Sequence, residues 1–156
     1  MYETRMSWHV TAPPAAVYRA LVDAEAVAVW RTPDGMRGHV HTFEAREGGR
    51  FRISLTYDTA TGTGKSDAHT DTYSGTFVRL VADELVVEES VFETGDPALR
   101  TTMTLTTTLT PAGGGTDVLL VHTGVPDAVP PADNETGTRM ALAHLARYVE
   151  ERERPR

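Results

Sequence analysis

The sequence predicts an α+β fold: a curved antiparallel sheet of six or seven strands wrapped round a long C-terminal helix, with two short helices after the first strand. Three observations lead there. Both ends of the chain repeat apolar residues at i, i+3 and i+4, the spacing of one buried helical face. The stretch from Gly38 to Thr123 alternates apolar and polar side chains with the period of a strand. Its connections are short, which joins neighbouring strands antiparallel. A sheet with one apolar face and an amphipathic helix to cover it complete each other. The 156 residues suit one domain, residues 1–152, with a charged tail at 153–156.

Each element has its own signal. Glu3 to Val10 reads as a first strand. Thr11-Ala12-Pro13-Pro14 supplies a candidate N-cap and prolines suited to a first helical turn. Val17, Ala20, Leu21 and Ala24 then form a helical stripe. A second short helix runs from Glu25 to Trp30 and stops at Thr32-Pro33-Asp34-Gly35. Phe51, Ile53, Leu55 and Tyr57 occupy one face of a strand over Arg50 to Tyr57, after a hairpin at Glu47-Gly48-Gly49. Asp58 to Asp71, rich in Thr, Gly, Ser and Asp, reads as a mobile loop. Tyr73 to Val81 and Leu85 to Phe92 form a strand pair across Ala82-Asp83-Glu84. Thr101 to Thr110 alternates threonine with apolar residues, and β-branching suits a strand. Pro111 to Gly115 is a turn, and Thr116 to Thr123 completes the sheet. After a proline-bearing linker, Asp133 or Asn134 caps a helix reaching about Glu151, with Ala141, Leu145, Tyr148 and Val149 on its apolar stripe.

Composition bounds the partners. Fifteen Lys and Arg against 22 Asp and Glu give a net charge of −7. Such a chain is a poor counterion for phosphate, which excludes sequence-independent nucleic-acid binding. The absence of cysteine removes disulfides, Cys-zinc sites, iron–sulfur clusters and thiol nucleophiles together. No apolar run approaches the ~20 residues that span a bilayer, and Met1 to Arg5 lacks the apolar core of a signal peptide. A cytoplasmic protein without membrane insertion is expected.

Several segments carry a resemblance. Thr11 to Ala24 (TAPPAAVYRALVDA) is similar to the opening of the helix-grip superfamily, which includes START lipid-binding domains, birch-pollen-allergen-like proteins and polyketide cyclases. Glu44 to Phe51 (EAREGGRF), Gly75 to Leu80 (GTFVRL), and Gly115 to Val118 with His122-Thr123-Gly124 look like its activator-of-Hsp90-ATPase-like branch. The resemblance covers nearly the whole chain. It implies a cavity between the sheet and the last helix that holds hydrophobic or amphipathic ligands. Two departures stand out. Relatives often carry two adjacent tryptophans after the second helix, where this chain has Trp30-Arg31, and Gly-Trp near the start of the last helix, where it has Gly137-Thr138. They imply a pocket mouth that is wider or more polar.

The residues that would line such a cavity are Trp30, Phe51, Tyr73, Met103, His122, Met140 and His144. Small residues on the covering helix (Ala141, Ala143, Ala146) either leave room for a ligand or let the helix pack closer. Trp30 also reads as a packing aromatic, and His122, on one strand face with Val118 and Leu120, as a hydrogen-bonded structural histidine, and these are the default readings. If His122 and His144 face one cavity, they are its titratable pair. Glu88 and Glu89 point to opposite strand faces. An inward carboxylate, taken to be Glu89, needs a partner such as Arg52 or Arg100. His39 and His41 share a strand face but lack a third ligand, so no metal is expected. No phosphate loop, dinucleotide fingerprint or nucleophile elbow occurs, and no cofactor is expected.

Three functions follow. The leading one is non-enzymatic binding of a small hydrophobic or amphipathic molecule. The second is an enzyme of the cyclase or dehydratase kind, with His122, Tyr73 or Glu89 moving protons. The third, regulation of an Hsp90-type chaperone, is not expected, since eukaryotic activators add an N-terminal domain for which this length leaves no room. A homodimer through an exposed strand is compatible with the pattern.

Overall fold

A computed structural model describes residues 1–58 and 69–154. The chain runs β1 (Tyr2–Val10), α1 (Pro14–Leu21), α2 (Ala24–Trp30), β2 (Met36–Phe43), β3 (Arg50–Tyr57), β4 (Thr70–Val81), β5 (Leu85–Phe92), a 3₁₀ turn (Pro97–Leu99), β6 (Met103–Ala112), β7 (Gly115–Val125) and α3 (Pro131–Glu153). The strands form one curved sheet in the order β1-β7-β6-β5-β4-β3-β2. Every pairing is antiparallel, which is the α+β architecture expected. Among the described residues no helix is long and apolar enough to cross a membrane.

Some boundaries moved, for identifiable reasons. Pro13, not Thr11, is the N-cap of α1, with an extended backbone at φ −68° and ψ 155°. A residue before proline is driven out of the helical region, so the helix starts at Pro14. Likewise α3 begins at Pro131 behind Pro130 rather than at Asp133 or Asn134, and it continues to Glu153. The side chain of Asn134 is thereby free for a different task. Thr70 and Asp71, expected in a loop, belong to β4; residues 59–68 of that predicted loop lie outside the described residues. β6 runs through Pro111, past Thr108, the last residue paired with β5 on that side. The turn itself is only Gly113-Gly114. Both have positive φ, 56° and 79°, the geometry of a two-residue hairpin.

Register places the interior. Thr4 pairs with His122, His122 with Leu105, Leu105 with Glu88, and Glu88 with Phe77. Directly paired residues share a face, so these five form one row across the side that α2 and α3 cover. A neighbouring row runs Met103, Ser90, Gly75, Phe51, Phe43. Gly75 is needed there, because an added Cβ would collide with the Glu89 carbonyl and the Phe51 ring. Phe43 and Phe51 each lie 5.3 Å from Phe77, the former edge-on. Helix α3 contributes Leu142, Leu145, Ala146 and Val149 to this core.

Candidate functional site

Helix α3 covers the sheet unequally. Its buried residues begin at Leu142, and none occurs between Pro131 and Met140. On the same side of the sheet, the inward-facing Tyr73, Leu105 and His122 keep partial exposure, and His122 meets Asn134 of that first half. Their side chains alternate with outward ones, so this exposure opens on the sheet–helix side. Several interior polar side chains meet here: Arg31, Tyr73, Glu88 and His122.

Arg31 is central to them. It is the C-cap of α2 with helical backbone angles, and it extends the buried stripe of Val27 and Trp30 at i+4 from Val27. Its guanidinium lies 4.9 Å from the Trp30 ring centroid. One nitrogen, Nη2, donates to both oxygens of Glu88 at 2.7 and 2.6 Å. The side chains are 11% and 3% exposed, so this is an interior ion pair. Burial alone would lower the proton affinity of Arg31, but the Glu88 carboxylate and the Tyr73 hydroxyl beside it raise it. Nε of Arg31 is buried and has no hydrogen-bond partner among the described residues. Tyr73 is shifted upward, by burial first, with Arg31 opposing. It therefore stays a neutral phenol.

His122 is held by a second chain of contacts. Thr4 Oγ1 donates to Asn134 Oδ1 at 2.6 Å, which orients the amide so that Nδ2 faces His122 Nδ1 at 3.1 Å. The amide donates, so Nδ1 accepts and the ring proton sits on Nε2. Burial, with the charge of Arg31 as a second cause, lowers His122 to about 4. The ring is neutral at pH 7. Below the unfolded value of about 6.5 the unfolded chain binds a proton that the folded one refuses. Stability is thus full above about pH 6.5 and falls as pH drops towards 4, by a few kcal/mol. His122→Leu should shrink the loss in urea midpoint between pH 7.5 and 4.5. Glu93, shifted downward chiefly by its hydrogen bond from Arg52, contributes alike to both proteins. An unchanged difference would refute the assignment.

The other expected site residues are dispersed. Trp30 and Phe51 are core side chains, each 2% exposed, and Trp30 Nε1 donates to the Ala20 carbonyl at 2.8 Å. Phe51 meets Tyr73 edge-on at 6.3 Å, and Met103 is buried in the row beside His122. Met140 and His144 turn elsewhere. Met140 Sδ accepts from the Asp34 N–H at 3.1 Å, and His144 Nε2 lies 3.2 Å from Asp34 Oδ1. Both fasten the α2–β2 loop to α3. His144 borders an outer groove of about 590 Å³ with Val29, Pro33 and Tyr148. It lies ten residues from Asn134, about 15 Å of helix, so the two histidines do not form a pair. Glu89 is corrected: it is exposed, Glu88 is the buried carboxylate, and its partner is Arg31. Arg52 pairs with Glu93 instead. His39 and His41 stack edge-on at 4.4 Å on an exposed stretch of β2. No group of three metal-ligating residues occurs among the described residues.

The pairing of Arg31 with Glu88 and the contacts of Thr4 and Asn134 with His122 were not predicted from the sequence. For Arg31 a signal existed, since it continues the Val27–Trp30 stripe. For Glu88 the run Leu85-Val86-Val87-Glu88-Glu89 is apolar on both faces and does not set its own phase.

Comparison with known proteins agrees with this architecture. The family model described as Activator of Hsp90 ATPase homolog 1-like protein matches residues 11–150. No curated protein matches the chain. A crystal structure of a Chromobacterium violaceum protein is 31% identical, with a TM-score of 0.84 over 95% of this chain and 96% of that one. A Rhodobacter sphaeroides protein is 19% identical, with a TM-score of 0.79 over 97% and 93%. The solution structure of an AHSA1-like protein from Aeromonas hydrophila is 20% identical, with a TM-score of 0.72 over 97% and 94%. With its fold and nearly its full length accounted for in this way, the chain belongs to the activator of Hsp90 ATPase homolog 1-like family of the helix-grip superfamily.

Proposed function

We propose that the chain holds a small hydrophobic or amphipathic molecule between the sheet and the first half of α3, without transforming it. The observation that carries this reading is the incomplete cover. Tyr73, Leu105 and His122 face inward yet keep partial exposure, and the half of α3 that Asn134 ties to His122 has no buried residue. Apolar walls with a few convergent polar groups are the usual makeup of a small-molecule site. The protonation states favour holding over proton transfer. A histidine at about 4 is a weak base at neutral pH, and a tyrosine shifted upward is a weak acid.

The test is titration with the neutral fluorophore N-phenyl-1-naphthylamine. Saturable one-to-one binding is expected. Ala141→Trp, which adds bulk where α3 faces the core, should weaken it by roughly tenfold, about 1.4 kcal/mol. Absence of saturable binding to the folded wild-type protein would overturn the proposal.

A further inference from the structure

Resting on that binding reading, we infer that the site selects an uncharged ligand bearing a carbonyl-type oxygen acceptor on an apolar body. Besides the Tyr73 hydroxyl, two donors are left over among these groups. One is Arg31 Nε–H, buried and without an acceptor. A buried donor of this kind is costly to leave unpaired and is satisfied in most native interiors. The other is His122 Nε2–H. Its tautomer follows from the Thr4–Asn134–His122 contacts, and it has no partner among the described residues. The two side chains are near enough for the Arg31 charge to act on the His122 ring. Apart from the Tyr73 hydroxyl beside Arg31, which can give or take a bond, the acceptors nearby are already engaged. Both Glu88 oxygens take bonds from Arg31, Asn134 Oδ1 takes one from Thr4, and His122 Nδ1 takes one from Asn134. The site therefore gives hydrogen bonds and asks for an acceptor.

Charge decides which acceptor. Arg31 is the only cation among these groups and is already neutralised by Glu88 at 2.6 Å. A carboxylate ligand would place a second anion on one guanidinium in a poorly solvated site, where like charges cannot both be accommodated. A ketone, aldehyde or ester oxygen accepts the same bonds without that cost. The apolar body has a matching surface in Tyr73, Phe51 and Leu105, with Tyr73 and Phe51 already edge-on to each other.

Three probes of one shape separate the cases: 2-acetylnaphthalene, its hydrocarbon isostere 2-isopropenylnaphthalene, and 2-naphthoate. Calorimetric titration of the full chain should rank the ketone tightest, by roughly tenfold or more over the isostere. Arg31→Lys keeps a counter-charge for Glu88 but lacks Nε–H, and should reduce that preference; His122→Phe should do the same. Independently of any variant, ¹H–¹⁵N spectra of the wild-type protein should show the Arg31 Nε–H and His122 Nε2–H signals moving with the ketone and not with the isostere. Equal affinity for ketone and isostere, with unmoved signals, would overturn the inference and leave hydrophobic binding intact. Tightest binding of naphthoate would overturn it in favour of an anion site. Binding of none of the three, nor of N-phenyl-1-naphthylamine, would overturn both readings.

Discussion

Glu88→Leu should destabilise the fold by about 3–5 kcal/mol, the range for removing one member of a buried ion pair. The reason is the charge left behind. Arg31 is 11% exposed in its side chain and its guanidinium meets the carboxylate at 2.6 Å, so losing Glu88 strands a cation over Trp30. The double change Arg31→Met with Glu88→Leu should recover most of the loss or exceed wild-type stability, because apolar replacement also removes the desolvation penalty of both groups. Urea denaturation of the wild type, both single variants and the double variant closes the cycle. If Glu88→Leu alone were neutral, the pair would not be an interior ion pair in solution. If the loss in the double variant equalled the sum of the two single losses, the two residues would contribute independently.

Phe77→Ala should cost a similar amount, about 3–5 kcal/mol, for a different reason. Phe77 is fully buried in the same row as Glu88, with Phe43 and Phe51 both 5.3 Å from it. Three aromatic rings from β2, β3 and β4 meet there, and deleting the middle one removes apolar contact and leaves a void that strands cannot close without losing register. Phe77→Leu, which keeps most of the volume, should cost markedly less. A fall in urea midpoint at constant slope is the expected signature. Equal costs for Ala and Leu would mean that the ring geometry, not the volume, carries the stabilisation.

These two residues also mark how far the sequence could be read. Phe77 was recoverable, as an apolar residue inside an alternating strand bounded by a clear turn. Nearly all of the secondary structure was recoverable for the same reason: period and turn chemistry are local, and β3 and β5 agree with their expected bounds, Arg50–Tyr57 and Leu85–Phe92. The inward carboxylate was not. In β5, valines and glutamates follow each other closely enough that either phase buries apolar groups, and the phase is set by pairing Glu88 with Leu105 and Phe77. The partner was missed with it. Arg31 reaches Glu88 across 57 residues of chain, a distance over which no local pattern reports. The sequence did expose Arg31 as a departure, since relatives often place a second tryptophan there, with a wider or more polar pocket mouth as the expected consequence, but it did not predict an interior ion pair.

His144 shows the opposite error. It was named among the residues that would line the cavity, but the helix turns it towards Asp34, where it binds a loop. A helical stripe has flanks, and which flank faces the sheet depends on how the helix is docked. Composition and periodicity by themselves determined an α+β chain with an antiparallel sheet and a covering C-terminal helix, because apolar spacing and turn residues act over a few positions. Only the tertiary structure decided which polar groups meet inside it. The Arg31–Glu88 pair and the Thr4–Asn134–His122 chain join residues far apart in sequence, and what brings them together is strand register and helix docking, which are properties of the whole fold.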